Sequence, residues 1–267
     1  MERVMEQRQP TVVEVTDATF ERLVIDESRS RPVVVDLWAA WCGPCKTLGP
    51  ILERIAAERG GQFLLAKLDV DANPLTAQAF GVQSIPTVVA FRDGQPVNGF
   101  VGAYPEAAVN QFVDSILPTD AEIEVEEARA DERVGDVASA ERAYRDALAG
   151  DEGNVEARVG LARILAERGD LDEARNVLAP ALPDAAAERV ASYIRVAEWA
   201  NADAADPLAS AKRRAAAGDW RGAFDELLAR VHDEPSAREA MVDAFNALAE
   251  DDPLVAEYRR KLASALF

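Results

Sequence analysis

The chain has 267 residues, 49% of them hydrophobic, which is enough for two domains with a sizeable core. Its formal net charge of −19 argues against nucleic acid and anionic membrane surfaces as partners. Two cysteines, close together, do not suggest a secreted protein stapled by disulfides. Residues 1–10 lack the apolar segment of a signal peptide, and no apolar run approaches the roughly 20 residues that span a bilayer. We therefore expect a cytoplasmic protein.

Strand and helix signals alternate through the first 117 residues. Residues 1–10 are polar and are expected to be flexible. The predicted strands cover residues 11–15, 33–40, 63–70, 87–91 and 97–101, with a hairpin at 92–96. The predicted helices run from a cap at Thr16 or Asp17 to about residue 25, from the second strand to Gly60, from Asn73 to Gly81, and from Pro105 to about residue 117. This order predicts an α/β domain over residues 11–117, with helices flanking a mixed sheet.

The sequence WCGPC at residues 41–45 lies where the second predicted strand gives way to a helix. Backbone N–H groups at a helix start lack intrahelical partners, so a thiolate at Cys42 would be stabilised there, and the thiolate is the reactive form. Cys45 follows one helical turn later and can close a disulfide with Cys42. A zinc site would need four ligands, whereas the single histidine, His232, is far away in sequence; a pair of structural thiols is the other alternative. The pattern favours a redox pair over both.

Four separated stretches of the first 117 residues resemble the thioredoxin family, in the right order. They are VVVDLWAAWCGPCK, LAKLDVDANP, FGVQSIPTVVAF and the glycine of FVGAYP. The resemblance implies a thiol–disulfide oxidoreductase with the thioredoxin fold, in which Cys42 attacks a disulfide and Cys45 resolves the mixed disulfide. It also implies that Asp36 is a buried carboxylate that assists deprotonation of Cys45, with Lys67 as its neighbour.

The same resemblance assigns a substrate groove. Pro86 matches a cis-proline that faces the cysteines, and Ile85 matches a position that offers backbone to an extended substrate. Trp41 and Gly102 match further groove positions. Neither a metal nor a cofactor is implied.

The composition changes after Leu117, which predicts a linker at residues 118–122 and an all-helical domain at 123–267. Gly-Asp pairs recur at Gly135, Gly169 and Gly218, the first two being 34 residues apart. Each pair predicts an antiparallel helix pair, because the glycine ends one helix and the aspartate caps the next. Small residues that let the two helices approach closely lie before the pairs (Ala128, Ala162, Ala211) and after them (Ala140, Ala174, Ala223).

This 34-residue period resembles that of tetratricopeptide repeats. The repeats are degenerate: an inserted helical segment at about residues 185–202 displaces the third copy, and a last helix pair at 236–249 and 253–266 lacks the Gly-Asp mark. Four aromatic residues at helical spacing are expected in the core: Tyr193, Trp199, Trp220 and Phe245. The last helix carries an apolar stripe whose pattern favours packing as the cap of the array: Leu254, Val255, Tyr258, Leu262 and Leu266.

Over nearly its full length, the chain resembles the YbbN/CnoX family of bacterial thioredoxin-like co-chaperones. The order of the two domains and the ending DDPLVAEYRRKLASALF carry this resemblance. It implies a holdase that binds unfolded or oxidised client proteins and passes them to the DnaK system and the GroEL chaperonin. It further implies that the tail, with Leu262, Leu266 and Phe267, docks on the chaperonin.

Both cysteines are present, so the redox-competent subgroup of that family is the better match, and a thioredoxin reductase is a further candidate partner. The combined prediction is a co-chaperone with holdase and thiol–disulfide oxidoreductase activity. Two alternatives stay open. One is a holdase and chaperone adaptor without a physiological redox role, and the other is a plain thioredoxin-like disulfide reductase.

Overall fold

A computed structural model of the chain describes residues 10–249 and 251–266. The chain divides after Leu117 into two compact units, called here the sheet unit and the helical unit. Each has its own hydrophobic core. Among the described residues, none of the helices combines the length and the apolar character needed to cross a bilayer.

The sheet unit is built on one mixed sheet. In the described part of the chain its strands are β1 (Val12–Glu14), β2 (Val33–Trp38), β3 (Leu64–Asp69), β4 (Thr87–Arg92) and β5 (Gln95–Val101). Their spatial order is β1-β3-β2-β4-β5, with β1, β3 and β2 parallel and β4 and β5 antiparallel. Strand β2 is central and buried on both faces, which explains its nearly continuous apolar sequence.

Helices cover both faces of this sheet, as the sequence predicts. The α-helices are α1 (Gly43–Glu58), α2 (Pro74–Ala79) and α3 (Glu106–Asp114). Helices α1 and α3 close one face, where Leu48, Leu52 and Val109 pack with Val34. The opposite face is closed by the segment before β2 and by the end of α2, where the rings of Phe20, Phe80 and Phe91 form a cluster with centroids 5.4–5.9 Å apart.

The predicted helix between residues 16 and 25 is a different element. The chain forms a π-helix at Glu21–Asp26 and a 3₁₀ turn at Glu27–Arg29. Asp17 does not cap it. Its carboxylate instead accepts hydrogen bonds from the backbone N–H of Leu75 and Thr76, at 3.2 and 2.9 Å, and so caps α2. Because β1 and β3 are neighbours, folding brings these unpaired N–H groups of α2 to Asp17.

The hairpin between β4 and β5 is tighter than predicted. The strands continue to Arg92 and Gln95, which are paired, so the turn consists only of Asp93 and Gly94. Both turn residues have positive φ, 52° and 78°. This combination is typical of a type I′ turn, whose twist matches that of the flanking strands.

In its described part, the helical unit contains nine α-helices. They are α4 (Asp120–Val134), α5 (Val137–Gly150), α6 (Val155–Arg168), α7 (Leu171–Leu178), α8 (Ala185–Glu198), α9 (Ala209–Ala216), α10 (Trp220–Leu228), α11 (Pro235–Ala247) and α12 (Pro253–Leu266). Residues 120–122, predicted as linker, are helical. Thr119 and Glu122 form a reciprocal capping box at 2.8 and 3.2 Å, which starts α4 earlier than expected.

The Gly-Asp pairs end and begin helices as predicted, with one exception. Gly135, Gly169 and Gly218 all have positive φ, 79°, 96° and 82°. Asp136 and Asp219 each accept a backbone N–H three residues on, at 3.1 Å. Asp170 is the exception. Its carboxylate accepts a hydrogen bond from Nε of Arg168 at 2.5 Å and makes no cap bond to α7.

The small residues and most of the aromatic residues lie where the pattern places them. The six alanines that flank the Gly-Asp pairs are all buried. Phe245 is buried, and Trp199 and Trp220 are half-buried against the core. The prediction for Tyr193 is wrong, since its side chain is 39% exposed. Other residues of α8 form the buried face of that helix: Ala187, Val190, Ala191, Ser192, Ile194 and Val196.

Helix α12 caps the helical unit by packing on α10. The hydroxyl of Tyr258 donates to Asp225 at 2.5 Å, and its ring stacks on Phe224 with centroids 4.9 Å apart. Leu262 is buried in this contact, so its side chain is not displayed to a partner, contrary to the expectation for the tail. Leu266 is half-buried against the same cluster, and Phe267 lies outside the described residues.

Gly160, in the middle of α6, lies against the ring of Tyr144 from α5. A Cβ at this position would lie 2.2 Å from Cζ of that ring, far inside van der Waals contact. Tyr144 is itself 2% exposed and packed in the core, so the ring has little space to move. The absent side chain therefore allows these two helices to approach.

We expect Gly160→Ala to lower the free energy of unfolding by roughly 1–3 kcal/mol, as overpacked cores do. This loss would occur although alanine favours a helix interior by about 1 kcal/mol. Gly49→Ala is the matched control, because a Cβ there meets no atom within 4 Å. Urea unfolding of the full chain measures both variants. Equal stability of the two would contradict the steric argument.

Candidate functional site

The two cysteines lie at the start of α1. Cys42 is the N-cap residue, and Cys45 sits in the first turn with its backbone N–H donating to Sγ of Cys42 at 3.2 Å. Pro44 fits the first turn because it has no N–H to leave unpaired. The two sulfur atoms form a disulfide, and both residues are nearly buried, at 3% and 5% exposure. The sulfur of Cys42 thus accepts a hydrogen bond from an N–H group of a helix start, where negative charge is stabilised.

One of the residues predicted for the groove, Ile85, lies against this disulfide. Ile85 is half-buried and packs against the cluster of Ala39 and the two cysteines. The Ile85–Pro86 peptide bond is cis, as predicted. Gly102 has a positive φ of 98°, and its N–H donates to the carbonyl of Pro86 at 2.8 Å.

Trp41 is the most exposed of the aromatic residues near the disulfide, at 69%. Its indole Nε1–H donates to the carboxylate of Asp71 at 2.8 Å, which fixes the ring at the surface. Sequence reasoning did not single out Asp71. The available signal was its position just past β3, because neighbouring parallel strands β2 and β3 end at the same edge of the sheet.

Asp36 is buried in the middle of β2, as predicted. It is 1% exposed, and its Oδ1 has no hydrogen-bond partner among the described residues. Asp36 lies two residues from Val34 and from Trp38, so its side chain shares their face of the strand, which is the face that α1 covers. Burial raises the pKa of its carboxyl group to about 6, although the charge of Lys67 acts in the opposite direction.

Lys67 lies opposite Asp36 on β3, but its ammonium group is bonded elsewhere. Nζ donates to Oε1 of Glu53 on α1 at 2.6 Å and lies 4.0 Å from Oε1 of Glu14. It also lies 5.2 Å from the ring centroid of Trp38. Burial lowers the pKa of Lys67, but the hydrogen bond to Glu53 and the nearby acids outweigh this and raise it. Sequence reasoning missed Glu53.

Comparison with known proteins identifies the sheet unit. A family profile for thioredoxin matches residues 11–115. The thioredoxin of Mycobacterium tuberculosis H37Rv is 51% identical over 106 residues, which are 40% of this chain and 90% of that protein. The chain belongs to the thioredoxin family. A bifunctional thioredoxin reductase/thioredoxin of Mycobacterium leprae is 50% identical over 106 residues, 40% of this chain and 23% of that protein.

The helical unit of this thioredoxin-family chain also has recognisable relatives. Profiles for tetratricopeptide repeats match residues 133–194 and 184–267. An uncharacterised protein of Mycobacterium tuberculosis H37Rv is 32% identical over 276 residues, covering 96% of this chain and 86% of that protein. The similarity to this relative therefore extends over both units of the chain.

Asp36 should make the stability of the sheet unit depend on pH. Its pKa is raised from 3.8 to about 6, so the stability it contributes is present below pH 4 and is lost as pH rises through 6. By pH 7 the loss is about 3 kcal/mol, using the shift from 3.8 to about 6. Asp36→Asn should therefore match the wild type at pH 4 and be more stable at pH 7.

Urea unfolding of the oxidised chain between pH 4 and 8 measures this difference. Asp26→Asn, which changes an exposed carboxyl group of the same unit, is the control for the loss of a surface carboxylate. A difference between Asp36→Asn and the wild type that stays constant with pH would show that the folded protein does not shift this pKa.

Proposed function

We propose that the chain is a thiol–disulfide oxidoreductase that also acts as a holdase co-chaperone. The observation that carries the redox part is the Cys42–Cys45 disulfide at the start of α1, with Ile85, the residue before a cis-proline, packed against it. Helix-start amides favour the thiolate form of Cys42, which makes it the proposed nucleophile.

In the first step, the Cys42 thiolate attacks one sulfur of a client disulfide. A bond forms between Cys42 Sγ and that sulfur, the client S–S bond breaks, and the second client sulfur leaves and takes up a proton. Trp41, Ile85, Pro86 and Gly102 line the proposed groove for the client. The backbone around Ile85 would hold an extended client segment.

In the second step, Cys45 releases the client. The proton of the Cys45 thiol passes to the carboxylate of Asp36, and the Cys45 thiolate attacks Cys42 Sγ. The Cys42–Cys45 disulfide forms, the bond from Cys42 to the client breaks, and the client sulfur leaves and is protonated. Two electrons have then passed from the protein to the client. A carboxylate with a pKa near 6 is ionised at neutral pH yet basic enough for this role.

The oxidised protein then needs a two-electron reductant. We propose a thioredoxin reductase, because one relative joins thioredoxin and thioredoxin reductase in a single chain. The proposed location is the cytoplasm, where such dithiols are kept reduced.

The holdase part rests on other features. Tetratricopeptide repeats form surfaces that bind other proteins, and both units expose large apolar side chains, among them Trp41 and Leu75 in the sheet unit and Val134 and Val137 in the helical unit. Unfolded clients would be held by burial of apolar surface. Delivery to the DnaK system and to GroEL is proposed from the resemblance to the YbbN/CnoX family. If the tail takes part, its outward-facing residues would contact the partner, because Leu262 is buried.

Each of the two alternatives keeps only one of the two proposed activities. A holdase without a physiological redox role would keep its function when the cysteines are removed and would have no disulfide-bonded clients. A plain disulfide reductase would suppress no aggregation.

Cys42→Ser should abolish reduction of insulin disulfides, because the attacking sulfur is lost. Cys45→Ser should instead accumulate mixed disulfides with clients, because the first step proceeds and the second cannot. Turbidity measures the first result, and non-reducing electrophoresis measures the second. If Cys42→Ser still reduced insulin, Cys42 would not be the nucleophile.

The variant carrying both Cys42→Ser and Cys45→Ser should still suppress aggregation of a heat-unfolded client that lacks cysteine, since apolar burial does not depend on sulfur. Light scattering measures suppression. Addition of the DnaK system or GroEL with ATP should then restore client activity above the level reached without the protein. Loss of suppression in a correctly folded variant would contradict a holdase surface that works without sulfur, and suppression without recovery would contradict delivery.

A further inference from the structure

We propose that Glu53 is a positioning residue for the second step, in which it holds the ammonium group of Lys67 away from Asp36 and thereby keeps Asp36 basic enough to accept the Cys45 proton. This inference rests on the proposed oxidoreductase function. Glu53 touches neither sulfur atom and would act only through Lys67.

The geometry around Lys67 supports this role. Strand pairing places Lys67 directly opposite Asp36, so the buried carboxyl group is a possible partner for the ammonium group. Its hydrogen bond nevertheless runs to Glu53 on α1, at 2.6 Å. Oδ1 of Asp36 is left without a hydrogen-bond partner among the described residues. The lysine thus forms its bond outside the buried site.

Besides burial, three charged groups affect how strongly Asp36 holds a proton. From β3, Lys67 favours its ionised form; from α1 and β1, Glu53 and Glu14 oppose ionisation. Strand β4 presents Val88 opposite Asp36 and contributes no charge. Glu14 lies 4.0 Å from Nζ of Lys67, so Glu53, at 2.6 Å, is the stronger anchor for the ammonium group.

This ion pair differs from an ordinary surface pair. Exposed pairs contribute little to stability. Here the side chain of Lys67 is only 18% exposed, while that of Glu53 is 44% exposed. The pair therefore matters chiefly because it fixes the position of the Lys67 ammonium group. That position determines how strongly the lysine charge stabilises the ionised carboxyl group of Asp36.

The test is the titration of the Asp36 carboxyl carbon by NMR in the oxidised full chain. Glu53→Gln should lower the midpoint by about 0.5 pH unit, an about threefold weaker binding of the proton, because Lys67 becomes free to bond Asp36. Glu58→Gln removes the same charge from an exposed position on the same helix and should leave the midpoint unchanged. In a Lys67→Gln background, adding Glu53→Gln should produce a much smaller shift.

Two results would overturn the proposal. One is an unchanged midpoint in Glu53→Gln. The other is a shift of equal size with and without Lys67, which would show that Glu53 acts by its own charge and positions nothing. The titration uses the oxidised protein, so its result does not depend on catalysis. Failure of the wild type to reduce insulin would instead contradict the proposed function.

The kinetic consequence is a second readout. Release of mixed disulfides, followed as a function of pH, should show its acid limb at lower pH in Glu53→Gln than in Glu58→Gln. A structural role for the ion pair would change the amount of folded protein and leave the position of this limb unchanged.

Discussion

Strand β2 lies at the centre of the sheet and passes directly into α1, and the chemistry of the sheet unit depends on this junction. The strand is held on both sides by β3 and β4, so its end is fixed in space. The helix that follows directs the N–H of Cys45 at the sulfur of Cys42. The same strand carries Asp36 beneath the helix. One strand and the helix that follows it therefore carry the disulfide and the buried carboxyl group on which the proposed mechanism depends.

This arrangement has a cost in stability. A carboxyl group with an unpaired oxygen in the central strand is unfavourable when ionised. The surrounding core of close-packed aliphatic side chains offsets this cost. Functional sites commonly keep such unfavourable groups because a stable replacement would lose the chemistry. In the proposed mechanism, a fully paired Asp36 would be a weaker base.

The helical unit is stabilised by a different principle. Its helices are joined by turns that satisfy their own backbone groups, and small residues let successive helices approach. Repeat arrays of this kind need a terminal cap, and α12 supplies one through the bond of Tyr258 to Asp225 and the burial of Leu262.

The sequence by itself determined the features that depend on neighbouring residues. The thiol pair at a strand-to-helix junction, the glycine turns at Gly135, Gly169 and Gly218 and the amphipathic last helix all follow from short-range geometry. Only the tertiary structure decided which side chains meet across elements. It bonded Lys67 to Glu53, because α1 packs over β3. Asp17 caps a distant helix, and Asp71 accepts a hydrogen bond from the indole of Trp41. Tyr193 is exposed to solvent. These contacts depend on which polar group another element brings near, and residue spacing along the chain does not predict that group.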